Sequence, residues 1–270
     1  MILRLGDRGE QVRQAQRQLN KMGSLLDEDG IFGRGCLAAV SSCCGQMGIA
    51  PRTEYDDELD GLLRQQPDPL PIVDILAITF IAREEVGSLD LYKTRNASPM
   101  FPGGESGITI GIGYDLRFAR DRFSADWSKM LSQTSLDALA PWTGRPGNAD
   151  GARALSAIKV PWLAAWSVFT LMTLPRTLVQ VQQSFPGQEV LSPLSRGALL
   201  SLVYNRGAAM EGDSRKEMRD IREAILEGRL NDVAPAFLSM KRLWPALPGL
   251  QARREREAKL FNSGLARSAP

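Results

Sequence analysis

Residues 80–116, FIAREEVGSLDLYKTRNASPMFPGGESGITIGIGYDL, change their periodicity midway, and that change limits what the rest of the chain can build. Upstream, Ile75, Leu76, Ile78, Thr79 and Ala82 recur at helical spacing. They predict a helix that delivers Glu84 and Glu85 at its C-terminal end, with Gly87 and Ser88 stopping it. After a loop containing Pro99, Pro102, Gly103 and Gly104, residues 107–115 alternate Ile with Gly or Thr. That reads as a short strand in a glycine-rich hairpin whose backbone can be approached closely. The expected class is mainly α (α+β) with one small β-hairpin. Adjacent helix residues point about 100° apart, so Glu84 and Glu85 cannot serve the same surface. A carboxylate on a helix end facing such a strand suits acid catalysis on a bulky polar substrate, because helix packing can partly desolvate such an acid.

The chain has no histidine. Histidine-based triads, histidine metal sites and a histidine general base are excluded, and acid–base chemistry falls to carboxylates, Tyr, Lys or Cys. Cys36, Cys43 and Cys44 are odd in number and include an adjacent pair. They form no disulfide framework and point to synthesis in a reducing compartment. No metal and no cofactor are expected. A chain of 270 residues with 43% hydrophobic and 24% charged residues can bury one large core or two modest ones. The net charge of +2 is too small to argue for nucleic acid. It is uneven, however: residues 1–70 hold 8 Lys/Arg against 11 Asp/Glu, and residues 71–270 hold 25 against 20. The mildly basic second part suits an anionic polymer. The first residues lack the apolar core of a signal peptide, so the expectation is synthesis in the cytoplasm without one. The most apolar run, 162–174, lies between Pro161 and Pro175 and is too short to span a membrane; it reads as a buried helix, with no membrane insertion.

Residues 1–66 read as a three-helix module. Val12, Ala15, Gln16 and Leu19 share a face of the first helix, which Gly23 ends. Residues 27–33 form a turn-rich loop with Ile31 and Phe32 inside. A second helix carries Leu37, Ala38 and Val40, and a third passes through Leu62 and Leu63. Three prolines, Pro67, Pro69 and Pro71, mark a linker over 67–72 and leave 73–265 as a second domain. In it, 117–139 predicts a helix, 141–151 a loop, and 152–158, 162–174 and 176–184 further helices. Residues 193–207, PLSRGALLSLVYNRG, predict a strongly apolar helix with Asn205 and Arg206 at its exit; Asn205 either contacts a substrate or caps the helix. Asp213 is read as the N-cap of the next helix. The last segment reads as an amphipathic helix in which Arg253 pairs with Glu257.

Two families are resembled. Leu5-Gly-Asp-Arg-Gly-Glu-Gln-Val12, Gln16, Leu19 and Asp29-Gly-Ile-Phe-Gly33 resemble the peptidoglycan-binding domain type 1, with Cys36 where that family usually carries Thr. Binding there would use polar loop residues around Asp29 and Arg34. Glu85, Tyr92 seven residues later, and Thr109-Ile-Gly-Ile-Gly-Tyr114 resemble the catalytic motif of phage-type lysozymes, with Val86 replacing the usual Gly and Tyr114 the usual His. An insertion separates Tyr92 from the strand. Residues 193–207 resemble that family's central helix, and Gly249-Leu-x-x-Arg253-Arg254-x-x-Glu257 its closing helix. The Gly-Tyr-Asp115 variant looks like a branch found in phage endolysins and bacterial secreted effectors.

The resemblance implies a lysozyme-like domain that hydrolyses the β-1,4 link between N-acetylmuramic acid and N-acetylglucosamine. Glu85 would be the acid; Thr109, with Asp115 or Glu105, would hold a water on the opposite face. Tyr92, Tyr114, Asn205 and Arg206 would line the substrate. Lytic transglycosylation on the same fold, an inactive wall-binding protein, and a chitinase or chitosanase are the competing readings. The implied partner is peptidoglycan, with an immunity protein and secretion apparatus for an effector acting on the periplasmic wall, or a holin for an endolysin.

Overall fold

The computed structural model describes residues 1–268. Its N-terminal part runs β1 (Ile2–Leu3), α1 (Glu10–Lys21), α2 (Arg34–Met47), β2 (Tyr55–Asp56) and α3 (Asp57–Gln65). The two strands pair antiparallel, Leu3 opposite Tyr55, and so bring the start of the chain to the entrance of α3. That entrance is set by Asp56, whose carboxylate accepts the Leu59 N–H at 2.8 Å. Val12, Leu19, Phe32, Val40, Leu59 and Leu63 are all fully buried between the helices. Buried Gln16 stitches the 27–33 loop onto α1: its Nε2 donates to Asp29 at 2.7 Å and its Oε1 accepts the Gly30 N–H at 2.9 Å. Phe32 fills the core as expected, but Ile31 does not; it is 39% exposed, because its N–H turns to the Asp29 carboxylate and Phe32 alone points inward.

The chain continues through α4 (Ile75–Val86), α5 (Leu89–Leu91), a π-helical turn (Tyr92–Asn96), β3 (Thr109–Ile110) and β4 (Tyr114–Asp115). Then come α6 (Phe123–Trp127), α7 (Gln133–Leu139), α8 (Ala149–Ala154) and α9 (Trp162–Val168). The helix expected over 117–139 is broken. Asp115 caps a 3-10 turn at Leu116–Phe118, and Ser132 starts α7 afresh by accepting the Ser135 N–H. The loop expected over 141–151 is shorter: Asn148 caps α8 through the Gly151 N–H at 2.7 Å. Gly151 is required there, since a Cβ would lie 2.0 Å from the Trp142 ring.

After a second π-helical turn (Phe169–Thr173) follow α10 (Leu174–Ser184), α11 (Pro193–Arg206), α12 (Lys216–Leu226), α13 (Val233–Ser239) and α14 (Pro248–Ser268). Pro175, left between the helices expected over 162–174 and 176–184, lies in the first turn of α10, where a missing N–H is tolerated. Asp213 does not cap α12; its carboxylate pairs with Arg242 at 3.0 Å, and a 3-10 turn precedes the helix.

The chain divides into two compact units. One takes Met1–Pro69 and Ala82–Thr173; the other takes Leu70–Ile81 and the chain from Leu174 onward. In the second unit α11 is the centre: Leu194, Ala198, Leu199, Leu200 and Leu202 are buried. A Cβ on Gly197 would stand 2.1 Å from that of Ala77, so the start of α4 rests directly on α11. Among the described residues no helix is long and apolar enough to cross a membrane.

Candidate active site

Glu84 and Glu85 stand in the last turn of α4, half-buried, each engaged by neighbouring groups. On the same turn Arg83 pairs with Asp27. The helix stops where expected. Gly87 adopts φ +75° and donates its N–H to the Arg83 carbonyl at 2.8 Å; a side chain there would strike Leu91. Ser88 then caps α5 through the Leu91 N–H. Seven residues beyond Glu85, Tyr92 is 1% exposed. Its hydroxyl donates to the Val160 carbonyl at 2.9 Å and its ring meets the Trp162 edge at 4.9 Å. Burial pushes the phenol well above the usual tyrosine range.

The hairpin is real and very short. Thr109 faces Asp115 and Ile110 faces Tyr114, with Gly111-Ile-Gly113 as the turn. Gly111 and Gly113 take φ +59° and +66°, which explains two of the alternating glycines. The close approach that the glycines permit is internal: a Cβ on Gly111 would touch Trp127, and one on Gly107 would fall 2.3 Å from the Asp115 carboxylate. Met100 bridges to Thr109 on the outer side.

Three of the sequence-predicted groups are occupied by their own fold. Tyr114 is buried, with its hydroxyl donating to Asp126 at 2.8 Å and its ring edge-on to Trp127 at 5.4 Å. Burial first, then the Asp126 carboxylate, raise its pKa. Asp115 accepts the Gly107 N–H with both oxygens at 3.0 Å and the Arg117 N–H at 2.8 Å. Glu105, 94% exposed at its side chain, pairs with Arg117 at 3.1 Å. Thr109 is half-buried on β3. Antiparallel pairing puts Thr109 and Asp115 on one face.

Asn205 and Arg206 belong to the second unit. Gly207, not Asn205, closes α11 by donating to the Val203 carbonyl at 2.7 Å. The Asn205 Oδ1 instead accepts from Arg254 on α14 at 3.0 Å. Arg206 lies 4.9 Å over the Trp244 ring and donates to the Ser214 carbonyl at 2.6 Å. Burial, then Arg215 and Arg254, hold its pKa below the usual guanidinium value. Beneath Asn205 the expected Arg253–Glu257 pair exists, but fully buried: Glu257 accepts from Arg253 at 3.3 Å, Arg254 at 2.9 Å and the Ser201 hydroxyl at 2.6 Å. The sequence showed that spacing as an ordinary surface pair. Nothing in it flagged Asp126 as a neighbour of the candidate residues.

No protein-family model and no curated protein matches the chain. Among solved structures, the crystal structure of Burkholderia AP3 phage endolysin is similar over 97% of this chain and 100% of that one, with 18% identity and a TM-score of 0.23, a superposition too loose to define a common fold.

Proposed function

We propose that this chain is a peptidoglycan hydrolase that cleaves the β-1,4 bond between N-acetylmuramic acid and N-acetylglucosamine. Residues 1–66 would hold the wall and 73–265 would carry the chemistry. The observation that carries the reading is Glu85: a half-buried carboxylate in the last turn of α4, followed within the same compact unit by the Thr109 hairpin. Glu85 donates its proton to the departing glycosidic oxygen, and Thr109 holds the water. In the second unit, Asn205 and Arg206 are the groups proposed to contact wall sugars. The Gly-Tyr-Asp115 variant favours a secreted antibacterial effector over a phage endolysin.

A second reading, lytic transglycosylation, is favoured by the bonds of the two candidate base carboxylates. Asp115 accepts backbone N–H groups and Glu105 pairs with Arg117, an arrangement that suits a single-carboxyl mechanism at Glu85. The test compares wild type with Glu85→Gln on purified peptidoglycan, products identified by mass spectrometry. Reducing muropeptides from wild type alone establish a muramidase; anhydro-muropeptides move the chemistry to transglycosylation. Binding to the sacculus with no product released overturns the catalytic reading.

A further inference from the structure

The buried Arg254–Glu257 pair has no part in the chemistry above, yet it lies directly under a candidate substrate contact. Ser201 and Asn205 are four apart on α11 and share a face; Arg254 and Glu257 are three apart on α14 and share the face opposite. Glu257 takes the Ser201 hydroxyl and the Arg254 guanidinium on one oxygen, and the Nη2 of that guanidinium reaches on to the Asn205 Oδ1 at 3.0 Å. Arg254 and Glu257 are both fully buried. Well-packed apolar residues of the same volume would hold the two helices at least as firmly as such a pair. Trp244 covers this arrangement, its ring 5.7 Å from the Arg254 guanidinium and 4.9 Å from that of Arg206.

A guanidinium only donates hydrogen bonds. The atom that Asn205 turns to Arg254 is therefore its oxygen, and the amide orientation is fixed by chemistry. The Asn205 Nδ2 then points away with two N–H donors, and among the described residues it has no protein acceptor. Asn205 and Trp244 are both half-buried and both flank the Arg254 guanidinium, so a donor and an aromatic ring lie on one buried charge near the exit of α11. We infer that Arg254, anchored by Glu257, is a positioning residue that locks Asn205 as a hydrogen-bond donor for a carbonyl oxygen of the ligand, the acetamido group of an N-acetylated sugar. This rests on the reading of Asn205 as a substrate contact. It adds a chemical preference: a de-N-acetylated sugar carries an ammonium group there and offers no acceptor.

The test is calorimetric binding of soluble peptidoglycan fragments to the full chain, using N-acetylated fragments and their de-N-acetylated counterparts. Every variant keeps residues 1–66, so any contribution from that module cancels in the comparison. Wild type should prefer the N-acetylated probe. Asn205→Asp keeps the acceptor facing Arg254 but loses the donor; it should bind the N-acetylated probe about fivefold to tenfold more weakly and the other probe no more weakly. Arg254→Gln, which frees the amide to turn, should weaken binding several-fold in the wild-type background and have no effect in an Asn205→Ala background. Wild-type affinity in Asn205→Asp, no preference in wild type, or an equal Arg254→Gln effect in both backgrounds overturns the inference. If Arg254→Gln does not fold, Asn205→Asp decides alone. Product release by Glu85 is scored separately, so a failed hydrolase reading and a failed positioning role give different results.

Discussion

Replacing Asp115 separates a scaffold carboxylate from a catalytic one. Its two oxygens satisfy two backbone N–H groups, those of Gly107 and Arg117, at 2.8 to 3.0 Å. Bonds to a charged acceptor contribute about 1.5–3 kcal/mol each, and the site is only part-buried, so water partly replaces them. Asp115→Ala should therefore cost about 2–3 kcal/mol locally. In Asp115→Asn one amide orientation turns an NH2 toward Arg117, and either one leaves an NH2 near the Gly107 N–H, which lies 3.0 Å from both oxygens. That substitution should cost about 1–2 kcal/mol. Amide hydrogen exchange reads this directly: the Gly107 and Arg117 N–H groups should exchange roughly 30-fold to 150-fold faster in Asp115→Ala, following the lost free energy. Turnover by Asp115→Asn should fall far less than the loss of about 10²-fold or more expected when a general acid is removed at Glu85. Unchanged exchange at both amides together with abolished turnover would refute the reasoning and return Asp115 to the role of second acid.

The same loop gives a steric test. Gly107→Ala drives a Cβ to 2.3 Å from the Asp115 carboxylate and should cost about 3 kcal/mol or more in thermal unfolding, whereas Gly104→Ala, with nothing within 4 Å but a φ of +56°, should cost about 1 kcal/mol. In the second unit, Glu257→Ala strands Arg253 and Arg254 without their shared carboxylate and should lower stability by about 3–5 kcal/mol in urea titrations. In the N-terminal module, burial pushes the Cys43 thiol up to about 11. A raised pKa means that the folded state keeps its proton where the unfolded chain, titrating near ~8.5, loses it. Stability is then fully present below that lower value and falls as pH rises toward the folded pKa, by up to about 3 kcal/mol; Cys43→Ala should remove that slope from urea midpoints measured across the range.

Helix existence was legible wherever apolar spacing was dense. The three helices of the N-terminal module and α4 with its Gly87 stop lie where periodicity puts them, and α11 lies where its dense apolar run puts it, with residues 194–203 buried on every side. The failures came where local capping beat pattern. The 117–139 run kept helical spacing, but Asp115 and Ser132 each bond a nearby backbone N–H and begin new elements, as Asn148 does in the stretch expected to be a loop. Burial of charge was not legible at all. Arg253 and Glu257 at four-residue spacing look the same on a solvated face as in a core, and only the packing of α11 on α14 makes the pair interior.

The motif residues themselves divide by which way their polar atoms turn. Gln16 and Asp29 hold the loop at 27–33, Tyr92 holds Val160, Tyr114 holds Asp126 and Asp115 holds Gly107. The positions of these five residues are thus already accounted for by hydrogen bonds within the fold. A spacing that merely folds the loop says nothing about chemistry, so these residues lose weight as evidence for a substrate. Weight shifts to the groups that folding does not explain. Thr109 is half-buried on its strand, and the Asn205 amide has one end fixed by a buried guanidinium and the other left open. Buried charge beneath an outward-facing donor costs stability without improving packing, and a site that must present one N–H in one direction is the physical circumstance in which that cost is repaid.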